Sequence, residues 1–159
     1  MLQELQKEIE EFNERKEEIV NKVKEELPKI IGEMIKDVPE INSVHWVQYI
    51  PTFNDGDACE FTIGEVEINR NEDGENEKMY ESTWYHWGVK YIDREGEKEY
   101  TREKLIAKGV DIEKSLLFVK IVELIESLDI FLEEAYGQFA DISIDKEGAI
   151  KIEEYYYKY

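Results

Sequence analysis

Apolar residues near the start of the chain fall at Leu2, Leu5, Ile9, Phe12, Ile19 and Val23, at intervals of three, four, three, seven and four. That is the seam of a coiled coil, and it predicts a helix over residues 2–26. Lys16 takes the one seam position without an apolar side chain. The rest of the segment is nearly all Glu, Lys, Gln, Asn and Arg, with Glu–Lys pairs four apart that support a helix. A stripe this narrow does not suit full burial. The helix either lies along the domain surface or pairs with a copy of itself through residues 2–26. Pro28 has no amide donor and should kink or restart the helix. Leu27, Ile30, Ile31, Met34 and Ile35 then form a broader apolar face, ending before Pro39.

Period two replaces this pattern next. Val44, Trp46, Gln48 and Ile50 share one face of a predicted strand, and His45, Val47 and Tyr49 the other. Cys59, Phe61 and Ile63 alternate in the same way on the far side of Asn54-Asp55-Gly56-Asp57. Asp-Gly is a hairpin signal, because glycine accepts positive φ without steric cost. The second strand should continue through Val66 and Ile68, with a bulge or bend at Gly64. Residues 70–78 are polar and aperiodic, which marks a loop. The aromatic cluster of Tyr80, Trp84, Tyr85, His86 and Trp87 reads as a short strand or irregular segment. Residues 93–96 form a turn, and 98–108 a loop or short helix.

Asp111 is placed to cap a helix running from Ile112 to Tyr136, with Gly137 as its stop. Apolar residues surround most of this cylinder, so it should be the central buried helix. A second hairpin closes the chain: Phe139, Ile142 and Ile144, a turn at Asp145–Gly148, then Ile150, Ile152 and Tyr155–Tyr157. Aromatic residues on both faces of that last strand leave some exposed or covered by another chain. The expected class is α+β, one domain over 1–159, with an antiparallel sheet of two or more hairpins and helices on one face.

Composition narrows the chemistry. The 159 residues carry 39 acidic and 20 basic side chains, a net charge of −19. Such a field repels nucleic acid and anionic membrane, and suits a partner with a basic surface or association with cations. One cysteine excludes an internal disulfide and a multi-cysteine zinc site. No apolar run approaches membrane-spanning length, so the chain is expected to be soluble and cytoplasmic.

The motif Trp46-x-Gln48-Tyr49-x-Pro51-x-Phe53-Asn54-Asp55-Gly56-Asp57-x-Cys59-x-Phe61 resembles that of a group of small proteins encoded by tailed phages and by prophages in bacterial genomes. The likeness extends to a charged N-terminal helix, a late apolar helix and a terminal hairpin around an acid-x-x-Gly turn. Thr52 stands where the group has Tyr, and residues 70–100 are the least similar part. The resemblance implies a setting, a phage product in a bacterial cytoplasm, without implying a reaction.

Candidate sites follow from residue type. Asn54, Asp55 and Asp57 could offer oxygen ligands to a divalent cation, although an EF-hand's later acidic positions are missing and a hairpin turn explains the same residues. Cys59 with His45 or His86 could form a thiolate–imidazole pair, but in the predicted register Cys59 sits with Phe61 and Ile63 in the core. Two histidines with Cys59 do not make a zinc site. Phosphate-cradling glycine loops and hydrolase signatures are missing from the sequence, and no acid–base pair stands out.

The expected function is therefore non-enzymatic and without cofactor: an acidic, aromatic surface that contacts a host protein. In its concrete form it fills a basic nucleic-acid-binding groove, such as that of a defence complex, by imitating phosphate charge. The surface would comprise Trp84, Tyr85 and Trp87 with Glu65, Glu67, Glu72, Asp73, Glu75, Glu77 and Glu81, and the hairpin tip Asn54, Asp55 and Asp57 beside them. The alternatives are a small-molecule or metal-sequestering protein using the 53–61 loop, and a dimeric structural or assembly protein.

Overall fold

A computed structural model of the chain describes residues 1–51, 56, 59–69 and 87–156. It is α+β, as expected. A 34-residue helix α1 (Leu2–Ile35) leads into strand β1 (Ser43–Tyr49), which pairs antiparallel with β2 (Thr62–Ile63), β3 (Glu67–Ile68) and β4 (Ala140–Asp145). β4 also pairs with β5 (Ile150–Glu154), so the sheet runs β2-β1-β4-β5 with β3 beside β2 on the same edge of β1. Between β3 and β4 come a 3-10 turn at Trp87–Tyr91 and helices α2 (Arg102–Ala107), α3 (Ile112–Ser127) and α4 (Asp129–Tyr136).

One face of the sheet carries the main core. Val44, Trp46, Ile142 and Ile144 are fully buried against residues of three helices, including Leu27 and Ile31 of α1, Phe118, Ile121 and Ile125 of α3, and Leu132 of α4. A smaller cluster of Val89, Leu105 and Ile112 lies on the other side of α3, with Leu116 and Val119 packed against it. α3 therefore separates two apolar clusters, which explains an apolar surface wider than one stripe.

Several expectations are corrected. The predicted 112–136 helix is two, divided at Leu128, whose φ of −100° and ψ of 10° leave helical geometry. β1 ends at Tyr49 and β2 begins at Thr62, and the described residues Ile50, Pro51 and Cys59–Phe61 lie outside any strand, so among the described residues the first hairpin pairs over less of its length than the alternation suggested. Cys59 consequently lies outside the sheet and is exposed, not a core residue. Gly64 does mark a bulge. Its amide donates to the Val47 carbonyl at 2.8 Å, and an added Cβ would stand 2.8 Å from Val47 Cγ2. The capping expected of Asp111 is present, its carboxylate accepting from the Lys114 amide at 3.2 Å.

Pro28 does not interrupt the helix: α1 is continuous through it. A proline at 28 removes the amide that would bond to the Lys24 carbonyl. The buried hydroxyl of Tyr136, on α4, approaches the carbonyls of Val23 and Lys24 at 3.2 Å each. The acceptor freed by the proline is thus satisfied from another helix.

Burial pushes the Tyr136 phenol up to about 12. The folded state holds the proton more tightly than the unfolded chain, so this contribution is complete below pH 10 and is lost as pH rises from about 10 to 12. Tyr136→Phe should cost about 1–2 kcal/mol at neutral pH and should flatten the decline in stability between pH 10 and 12. Urea titrations across that range check both points. Restoring the amide with Pro28→Ala should make the tyrosine substitution less costly, and independent effects would refute this coupling.

Candidate interaction surface

Two arrangements combine side chains in ways that bear on function: a buried histidine on the sheet face opposite the main core, and the first half of α1.

His45 is 4% exposed. Its Nδ1 lies 3.2 Å from Glu67 Oε2 on β3 and its Nε2 lies 2.5 Å from Asp141 Oδ1 on β4. Strand alternation directs all three to this face, and β1 lies between the two carboxylate-bearing strands. Each ring nitrogen thus faces a carboxylate oxygen, which accepts hydrogen bonds when ionised. A catalytic imidazole needs one nitrogen for its orienting partner and one for the reacting group. Here the two carboxylates hold both, which suits a clamp across three strands. The sequence offered little sign of this contact: His45 and Asp141 are 96 residues apart.

The placement of Glu67 bears on the expected partner surface, because this acid is turned to His45 and only 16% of its side chain is exposed. Glu65 is exposed. Trp87 begins the 3-10 turn. Trp84, Tyr85, Glu72, Asp73, Glu75, Glu77, Glu81 and His86 lie outside the described residues, as do Asn54, Asp55 and Asp57. Among the described residues no group of three or more His, Cys, Asp or Glu is arranged to hold a metal.

Tyr155 stacks at a tilt on Tyr49, with ring centroids 5.7 Å apart, and Tyr156 is exposed. β5 ends at Glu154, so these aromatics follow the strand instead of lining it.

α1 has two distinct halves. From Val20 onward, Val20, Val23, Leu27, Ile31 and Ile35 are buried in the domain. Before Lys16 every residue is exposed. Lys16 marks the transition, its Nζ 2.6 Å from Glu134 of α4. The preceding residues are helical for local reasons: strong helix formers, an acid in the first turn at Glu4, and ion pairs Lys7–Glu11 and Arg15–Glu18. Leu2, Leu5, Ile9 and Phe12 are between 51 and 69% exposed, in one line along this projecting half. Glu10, Glu14 and Glu17 stand away from that line and are exposed too. The seam read from the sequence is therefore present, and within the described chain it is uncovered over its first four positions.

No helix among the described residues is long and apolar enough to cross a membrane. Comparison with protein-family models, with curated proteins and with solved structures finds no match to this chain.

Proposed function

We propose that the chain is a non-enzymatic protein that acts by contact, with the projecting half of α1 as its contact element and the α+β body as the mount. The observation that supports this most is the exposed line of Leu2, Leu5, Ile9 and Phe12. A solvated helix gains nothing from leucine, isoleucine and phenylalanine at coiled-coil spacing. Burying that line against another helix recovers their transfer free energy. Phage or prophage origin, implied by the hairpin motif, is the setting in which we place it.

Phe12→Glu tests the reading. Phe12 is 67% exposed, so the variant should melt within about a degree of the wild type while its association weakens by roughly a hundredfold. Sedimentation of the purified chain and capture from a prophage-bearing bacterium, wild type against variant, measure that association. If neither depends on Phe12, the reading fails.

A second reading, imitation of phosphate charge towards a basic partner surface, is supported by the net charge of −19 and by the exposed acids Glu10, Glu14 and Glu17 on the face of α1 away from the seam. It requires affinity that falls steeply with salt, and salt-insensitive binding would remove it.

A further inference from the structure

We infer that the occupant of the α1 seam is a second copy of this chain, docked antiparallel so that Ile9 of each copy packs against Phe12 of the other. This pairing rests on reading α1 as a contact element. Two observations lead beyond that reading to this partner and orientation.

The first is steric. Seam residue Val23, with Val20 beside it, is buried in the main core, and Lys16 is tied to Glu134 of α4. The domain body therefore sits on the same side of α1 as the seam, from about residue 16 onward. In a parallel pair each helix would continue along its partner's seam into the space that body occupies. An antiparallel pair carries the two bodies to opposite ends of the coil.

The second is charge. In an antiparallel coil, core positions of one helix face those of the other in a–d layers, and the flanking g positions face one another. The g positions here are Glu8, Arg15 and Lys22, while Gln6 and Asn13 hold the opposite flank. Sliding one copy past the other by single heptads gives three registers. One sets Glu8 against Glu8, and another sets Arg15 against Arg15; the latter also opposes Glu8 with Lys22 but needs Leu5 to reach Val23, which is buried in the main core. The third sets Glu8 of each copy against Arg15 of the other, twice. It also stacks Ile9 on Phe12 and brings Gln6 beside Asn13, with Leu2 reaching only the edge of the body at half-buried Ile19.

Lys16 faces Leu5 in this register. Its ammonium is already drawn out to Glu134, which leaves its methylene stem to line the seam. The paired stretch clear of the body, residues 5–16, is roughly 18 Å long at 1.5 Å per residue.

The test is a charge exchange on the full chain, read by sedimentation at tens of micromolar protein and low salt. Wild type should be dimeric. Glu8→Lys and Arg15→Glu should each weaken the dimer about tenfold or more, since each variant alone sets like charges together twice. An equimolar mixture of the two variants should recover dimer. The lysine introduced at position 8 of one chain then faces the glutamate introduced at position 15 of the other, and the second pair remains Arg15 with Glu8.

In a parallel coil positions 8 and 15 face Asn13 and Val20, so neither substitution nor mixing would matter much. A wild-type dimer indifferent to both substitutions, or a mixture that stays monomeric, overturns the antiparallel register. A wild-type chain still monomeric at several hundred micromolar overturns self-pairing. The contact reading would then stand or fall separately, on whether a captured partner depends on Phe12.

Discussion

Gln48→Ala is expected to cost about 3–5 kcal/mol of stability, the largest effect of any single substitution proposed for this protein. Gln48 is fully buried on the core face of β1. Its Oε1 accepts from the Trp46 indole N–H at 3.1 Å. Its Nε2 donates to the carbonyls of Leu132 at 2.9 Å and Gly137 at 2.6 Å. One amide thus satisfies a buried indole and fixes the C-terminal end of α4 to the sheet. Alanine would leave three polar groups without this partner and open a cavity around Trp46. Leucine would fill the space but not the bonds, and should recover only part of the loss. Urea denaturation of the three proteins decides the matter, and a cost below about 1 kcal/mol for alanine would show that the bonds are replaceable.

Gly32→Ala should be the next most damaging, against the usual sign. In a helix interior glycine to alanine normally stabilises by about 0.5–1 kcal/mol. At Gly32 the new Cβ would stand 2.8 Å from Gly148 N, 2.9 Å from Gly148 Cα and 3.1 Å from the Lys146 carbonyl, all of them backbone of the β4–β5 turn. That turn cannot easily move. Asp145 accepts from the amides of Glu147 and Ala149, Gly148 holds a φ of +80°, and Lys146 Nζ donates to the Val38 carbonyl at 2.7 Å. Overpacking against a fixed backbone should outweigh the propensity gain and leave a net loss of roughly 2 kcal/mol. An alanine variant as stable as wild type would mean that helix and turn are not in close contact.

What the sequence disclosed depended on whether the controlling interaction was local. The α1 seam, the Asp111 cap and the Asp145–Gly148 turn are each set within a few residues, and each could be read from spacing and residue type. Pro28 misled because the hydroxyl that satisfies the freed Lys24 carbonyl belongs to a residue 112 positions later. The division at Leu128 has no proline or glycine to announce it. Among the described residues the first hairpin pairs over less of its length than its pattern promised, because alternation continues past the last paired residue, and pairing depends on the neighbouring strand as well as on pattern.

For the candidate surface, the seam was visible but its exposure was not. Whether a stripe faces a core or solvent is settled by where the rest of the chain packs. The His45 clamp was hidden for the same reason, since its two carboxylates come from strands far apart in sequence.

The seat of Gly32 on Gly148 also controls direction. Leu2 stands thirty residues ahead of it, about 45 Å along the axis at 1.5 Å per residue, so a tilt of about 5° of the whole helix, one that also shifted Val23, Val20 and the Lys16–Glu134 contact, would sweep the tip through about 4 Å. A stiff lever of that length turns a small looseness at its pivot into a large error of aim. The close fit of two glycines at its base would then govern how narrowly the free end is pointed, and so how often it meets whatever it grips.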